Sequence, residues 1–219
     1  MSDIEIPEWN SFINDDCMNW LKQFPDNYFS ICITDPPYGL LDAGMQTGGC
    51  KGHFKDKLFN NKSIKDWDKA PSQEYFDQIF RVSRNQIIWG GNYFRLPPCR
   101  CFVVWYKLQP WENFSRCEYA WTSFKMPSKL FQFDNRYKGK IHPTQKSVEL
   151  YLYLIQQFAE EGDTILDTHV GSASSLIAYH MTRHKYIGFE INETFYKKAV
   201  ERLKVETDQM DIFDLLGDE

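Results

Sequence analysis

Apolar residues recur along the chain in two periods, and the alternation between them sketches a fold. Tyr28–Thr34 (YFSICIT) is apolar at nearly every position, as a strand covered on both faces would be. Comparable runs predict strands at Gln86–Trp89, Cys101–Lys107, Glu118–Phe124, Thr164–Asp167 and Tyr186–Glu190. The helical period appears from about Ser72, where Tyr75, Phe76, Ile79 and Phe80 share one face. It returns from Ser147 to about Phe158, after Gly171, and from near Glu193. A short helix follows Asp15 and Asp16, which suit its cap or first turn, and it carries Met18, Leu21 and Phe24 inward. Pro25-Asp26-Asn27 then turns the chain into the first strand.

Strands alternating with helices imply an α/β fold: a mostly parallel sheet with helices on both faces. Cys101–Lys107 and Glu118–Phe124 are close enough in sequence to be antiparallel neighbours, so one hairpin strand should run against the rest. One domain over residues 1–206 accounts for these elements, with no internal repeat. Residues 40–70 have Gly-Gly, many lysines and no sustained period, which predicts a long mobile loop. Residues 106–140 mix basic residues with aromatics, most densely from Lys125, and 207–219 form an acidic tail.

Composition changes this picture little, but charge changes it more. With 219 residues, 42% hydrophobic and 25% charged, the chain can bury a full core. No apolar run approaches the roughly 18 residues of a membrane span, and the acidic MSDIEIPEW start does not read as a signal peptide. Six scattered cysteines predict reduced thiols in a cytosol rather than disulfides, and hence a soluble intracellular protein. The net charge of −5 conceals an uneven distribution. Residues 1–50 carry −7, residues 51–146 carry +10, and residues 147–219 carry −8. A basic middle between acidic ends is a localised footprint for a polyanion.

Two stretches look chemical. TDPPYGL (Thr34–Leu40) ends the first long strand with an acid, two prolines and an aromatic; the prolines remove two backbone donors, so pairing stops there. GDTILDTHVGSASS (Gly162–Ser175) is a strand ending in Asp167, followed by a turn of small residues that opens a helix. Small residues allow a ligand close to the backbone, and the helix start offers unpaired N–H groups. Glu190 ends the next strand, where an acid commonly grips a nucleoside ribose. Neither G-x-G-x-x-G nor a G-K-[ST] phosphate loop is present, which points to a nucleoside without a polyphosphate.

DPPY (Asp35–Tyr38), followed by HPTQKS (His142–Ser147), LDTHVGS (Leu166–Ser172) and GFEIN (Gly188–Asn192), resembles the DNA amino-methyltransferases that use S-adenosylmethionine. Having the catalytic motif first and the cofactor motif last is the order of the β class, and the variant with Asp-Thr-His resembles a subgroup common in phages and prophages. NDDCMNWLKQFPDNYFSICITDPPY is similar to the family's stretch leading into the catalytic motif. The resemblance covers nearly the whole chain, more weakly in 40–70 and 106–140. It departs from the family at Thr168, His169 and Ala173, where a proline, an aromatic and a second glycine are usual, and at Ser147, where proline is usual.

The resemblance implies a Rossmann-like methyltransferase sheet and a DNA (adenine-N6) methyltransferase of the bacterial cytoplasm. Asp35, Pro36, Pro37 and Tyr38 would be catalytic. An adenine amine is a poor nucleophile because its lone pair is delocalised into the ring. Acceptors at the Asp35 carboxylate and Pro36 carbonyl would draw its hydrogens out of plane, and Tyr38 would stack on the flipped base. The cofactor contacts would come from Asp16, Cys17, Asp35, Lys146, Asp167, Thr168, His169, Gly171, Ser172, Ala173, Glu190 and Ile191. Among these, Asp16 and Cys17 would edge the adenine, Lys146 would lie near the carboxylate and Glu190 would hold the ribose. DNA contacts are expected at Trp111, Arg116, Lys125, Lys129, Arg136 and Lys138, where bases mix with aromatics.

Alternatives stay open. The target could be the cytosine N4 amine or RNA, and a silent cofactor- and DNA-binding module would need a broken catalytic centre. A cytosine-carbon enzyme would use a cysteine after proline, and Pro98-Cys99 has no supporting motif order. Cys99-Arg100-Cys101 lacks a partner pair, and His180 and His184 lack the glutamate of H-E-x-x-H, so no metal is expected. Gln209–Phe213 (QMDIF) resembles the peptides by which bacterial proteins bind the replication sliding clamp; the plainer expectation is a helix packing Met210, Ile212 and Phe213 on the domain. A second copy of the chain is the remaining candidate partner.

Overall fold

The structure is a computed structural model. It describes residues 6–40, 68–110, 115–134, 136, 140–142 and 144–216, with side chains to 209. Eight strands form one sheet: β1 (Ser11–Ile13), β2 (Phe29–Thr34), β3 (Ser83–Trp89), β4 (Phe102–Tyr106), β5 (Cys117–Thr122), β6 (Lys129–Gln132), β7 (Thr164–Asp167) and β8 (Lys185–Phe189). Their order across the sheet is β1-β8-β7-β2-β3-β5-β4-β6. Strand β5 pairs antiparallel with both β3 and β4, and every other pairing is parallel. This is the expected α/β sheet with one reversed hairpin strand.

Among the described residues, the α-helices that cover it are α1 (Cys17–Leu21), α2 (Gln73–Val82), α3 (Val148–Phe158), α4 (Ser174–Met181) and α5 (Glu193–Leu216). Successive side chains of a strand point to opposite faces, and the core divides accordingly. Ile31, Ile33, Trp89, Val103, Trp105 and Ala120 face α3, α4 and Ala199 of α5. Cys32, Ile88, Trp121, Leu166, Ile187 and Phe189 face α1 and α2 through Leu21, Tyr75, Phe76 and Ile79. Ser147 caps α3, its hydroxyl accepting from Leu150 N at 3.2 Å, and Asp16 caps α1 by accepting from Met18 N at 2.9 Å.

Two strands were not expected. β1 is a three-residue edge strand and β6 a four-residue one, both too short to display a period against their polar surroundings. The 207–219 segment is helical in its backbone as far as Leu216, continuing α5. Most of the 40–70 segment lies outside the described residues, but its ends are visible. Gly39 N donates to the buried Asp68 carboxylate at 3.0 Å, so the chain leaves and re-enters beside the Asp35–Tyr38 motif. Among the described residues, no helix is long and apolar enough to cross a membrane.

Candidate active site

The carboxyl ends of β2, β7 and β8 lie side by side, and the order of the strands reverses around them. Ligands of open α/β sheets bind at such an edge. Here the edge carries a hydroxyl cluster that ties the two sequence motifs together. Thr34 Oγ1 meets Thr168 Oγ1 at 2.7 Å, and the Tyr75 hydroxyl reaches Thr168 at 2.6 Å and Thr34 at 3.2 Å. His169 Nδ1 lies 3.0 Å from Thr168 Oγ1 and 3.3 Å from Thr34 Oγ1. Burial lowers the His169 pKa to about 4, so its ring is neutral at physiological pH.

Beside this cluster opens a cleft of about 270 Å³, lined by Asp15, Asp16, Cys17, Thr168, His169, Glu190 and Ile191. Six of these seven were selected from the sequence; Asp15 was not. Asp15 is set by Trp20 Nε1 at 2.9 Å and Asn19 Nδ2 at 3.0 Å, and the Trp20 bond leads in lowering its pKa. Glu190 is held in place by two backbone donors, Gly171 N at 2.9 Å and Asn192 N at 2.8 Å, one on each oxygen. Burial nonetheless raises its pKa. Asp167 accepts from His169 N at 3.0 Å, and burial pushes its pKa up to about 7.

The turn after β7 is tightly built. Gly171 and Ala173 both have left-handed backbones, with φ of 59° and 62°. Ala173 thus occupies a conformation that favours glycine. Arg202 of α5 fastens the turn, donating to Ser172 O and Ser174 Oγ at 2.8 Å each.

Asp35 lies just beyond β2. Its Oδ1 accepts from the Tyr38 hydroxyl at 2.7 Å, and its Oδ2 is ion-paired with Lys146. Lys146 is buried, 5.2 Å from the centre of the Trp89 ring, and also lies 3.2 Å from Glu118 Oε2. Lys107 lies 2.5 Å from Glu118 Oε1. Burial pushes the Glu118 pKa up, but the Lys146 and Lys107 ammoniums outweigh it and hold the group down to about 2. Burial lowers the Lys146 pKa, yet its two carboxylate neighbours leave it raised overall. The ring of Tyr38 stacks on Tyr93, with centroids 5.0 Å apart and planes 22° apart, and rests against Gly90.

The structure therefore brings Lys146 to the Asp35 carboxylate. It also adds Glu118, which sequence reading missed. Glu118 stands opposite Trp105 and in phase with the buried Ala120 and Thr122. An acid in phase with a strand's buried residues was the available signal.

The basic residues divide. Arg116 precedes β5 and is exposed, and Arg136 follows β6, bound to Asp134; both belong to the active edge of the sheet. Lys125 and Lys129 do not. Because β5 runs backwards, the chain has descended by Ser123 to the level of Gln86, whose carbonyl accepts from Ser123 N at 3.1 Å. Lys129 then pairs with Val103 at the start of β4, so both lysines belong to the opposite edge. Trp111 and Lys138 lie outside the described residues, as do the side chains of Met210–Phe213.

Residues 55–201 match the family model described as DNA methylase, of the N6 and N4 methyltransferases. The chain belongs to that family. This DNA methyltransferase is 27% identical over 202 residues to YubD of Escherichia coli (strain K12), covering 88% of this chain and 89% of that one. The M1.HpyAVI–SAM complex shares its fold at a TM-score of 0.57 and 18% identity, covering 88% of this chain and 98% of that chain. The PvuII DNA methyltransferase, described as cytosine-N4-specific, does so at a TM-score of 0.57 and 13% identity, covering 91% of each. The methyltransferase shares the Rossmann-like α/β sheet of both.

Proposed function

We propose that this enzyme methylates the N6 amine of an adenine turned out of DNA, using S-adenosylmethionine. The observation that carries the reading is the position of Asp35. It stands at the carboxyl end of β2, one residue from the hydroxyl cluster that borders the cleft. An aspartate rather than a serine before Pro-Pro-Tyr favours adenine over cytosine.

The cleft suits the cofactor. Each Glu190 oxygen accepts one backbone N–H and keeps capacity for a ribose hydroxyl. Asp16, whose Oδ1 caps α1, and Cys17 would border the adenine, and Ile191, 63% exposed, offers an apolar wall. Thr168 and His169 line the same cleft, with Asp167 and the Gly171–Ala173 turn behind them. When bound, S-adenosylmethionine supplies a methyl group on a cationic sulfur.

The chain's own residues prepare the acceptor. Asp35 and the Pro36 carbonyl take the hydrogens of the amine, which localises its lone pair, and Pro37 keeps that carbonyl rigid. Groups fixed in advance need no reorganisation as charge develops, and alignment supplies much of the rate. Turning the base out of the stack costs a few kcal/mol. A Tyr38 face would repay part of it, with Tyr93 moving off that ring. Arg116, Arg136 and the half-buried Lys140 would contact DNA phosphates at this edge; Trp111 and Lys138 would add to them. The remaining partners, the sliding clamp and a second copy of the chain, belong to the same proposal.

Transfer of labelled methyl to unmethylated bacterial DNA, followed by digestion and mass spectrometry of the nucleosides, tests the reading. N6-methyladenine is expected. N4-methylcytosine would overturn the base assignment and leave the amine chemistry standing. Asp35→Ala is expected to lower transfer by at least about a thousandfold, with cofactor affinity within several-fold of wild type. Near-normal turnover in that variant would refute the role of Asp35.

A further inference from the structure

Both oxygens of Asp35 are occupied in this structure, one by the Tyr38 hydroxyl and the other by the Lys146 ammonium. If the target amine is to be held by Asp35, as proposed above, it must share an oxygen with one of these donors, and it binds best where that donor draws back. Tyr38 is tied by the same motif to its place, whereas Lys146 has somewhere to go. Its side chain is only 4% exposed, so it cannot withdraw into water without carrying the surrounding structure with it. A buried cation without a counterion is costly, whereas exchange between two carboxylates preserves its pairing.

Glu118 is that second carboxylate. Its Oε2 is buried and lies 3.2 Å from Lys146 Nζ, an ion pair longer than the one to Asp35, and among the described residues no donor meets it in good hydrogen-bond geometry. A buried carboxylate oxygen left without a donor is unfavourable, so it has both the proximity and the unused capacity to accept one. Its other oxygen is anchored by Lys107, which keeps the group from turning away. The reversed direction of β5 delivers it here: Glu118 stands near the start of that strand, level with the ends of the parallel ones. Gly90 N, at the end of β3, bonds the carbonyl of the next residue, Tyr119, at 2.9 Å.

We propose that Glu118 is a positioning residue for methyl transfer, receiving the Lys146 ammonium when the target amine takes its place on Asp35. The two carboxylates and two lysines balance in charge before and after this exchange. No charge has to leave the site, and Asp35 becomes available only when its place is claimed.

The test compares Glu118→Gln, Glu118→Asp and the double variant Lys107→Met/Glu118→Gln with wild type. Steady-state methylation of DNA, cofactor affinity by calorimetry and the melting temperature are measured for each. Glu118→Gln is expected to lower kcat about ten- to a hundred-fold, with KM for DNA and cofactor affinity within about threefold. Glu118→Asp should recover part of the loss because it restores a carboxylate. The double variant restores the charge balance without the carboxylate and should remain slow. Recovery of the double variant to wild-type kcat would overturn the proposal, since charge balance alone would then suffice. Wild-type kcat in Glu118→Gln would also overturn it. If Glu118→Gln does not fold, Glu118→Asp decides, with an intermediate kcat expected and a wild-type kcat refuting. Failure of the wild-type enzyme to methylate DNA would instead refute the proposed function, and the two failures are distinguishable.

Discussion

Gly90 bears on the catalytic motif although it lies 52 positions beyond Tyr38 in the chain. Its φ is +69°, and a Cβ placed there would lie 2.2 Å from Cε1 of Tyr38. Gly90→Ala therefore meets two obstacles: a left-handed backbone, costing about 1 kcal/mol for an L-residue, and a collision with the ring. The ring can yield only by disturbing its bond to Asp35 and its stack on Tyr93. Methyl transfer by Gly90→Ala should fall at least about tenfold while cofactor affinity changes little. Kinetics and calorimetry on the one variant check both halves. A wild-type rate would show that Tyr38 can move without consequence.

Elements were legible in proportion to their length and burial. β7 falls on its expected residues, and α2 and α3 begin one residue after Ser72 and Ser147, where helices were expected to start. These segments bury a full face or both faces, so their period stands out. β1 and β6 escaped because three or four residues hold too little repetition to outweigh their polar neighbours. The candidate site was legible where residue type alone suggests chemistry, as with Asp35, Glu190 and the Gly171 turn, which the structure gathers at one edge of the sheet. It was not legible where two distant side chains meet, as with Tyr75 on Thr168 or Glu118 beside Lys146. The placement of Lys125 and Lys129 at the other edge was not legible for a related reason, because the edge a residue occupies depends on strand direction rather than on composition. α5 raises a question of its own, since its backbone includes Gln209–Phe213. If these residues engage a sliding clamp, a pull-down with purified clamp should be lost in Gln209→Ala/Phe213→Ala, with methyl transfer unchanged. Retained binding in that variant would remove the clamp from consideration.

For the molecule as a whole, buried ionisable groups set opposing dependences on pH. Asp167 has its pKa raised to about 7 by burial, against an unfolded value of 3.8. Between these values the folded chain holds the extra proton, so this group's contribution to stability declines as pH rises from about 4 to 7. His169 and His142 have pKa values lowered to about 4 by burial, so the unfolded chain holds the extra protons, and their contribution grows as pH rises from about 4 to 6.5. The two trends mask one another in the wild type. Asp167→Asn separates them: its cofactor-free stability relative to wild type should increase steadily from pH 4 to 7 in denaturant titrations. A difference that stays constant across that range would show that Asp167 ionises normally.

The reversed strand β5 has a consequence for how such an enzyme can change its target. The chain leaves β4 after Tyr106 and enters β5 at Cys117, and the two ends are joined by Lys107 N donating to Arg116 O at 2.9 Å. Loop closure becomes only slightly more costly as a loop lengthens. If, as proposed, this connection carries DNA contacts, it can be lengthened or rewritten without shifting the register of β4 on β5. Chemistry and recognition would then rest on separate stretches of the chain, so that one can be exchanged by recombination while the other is inherited.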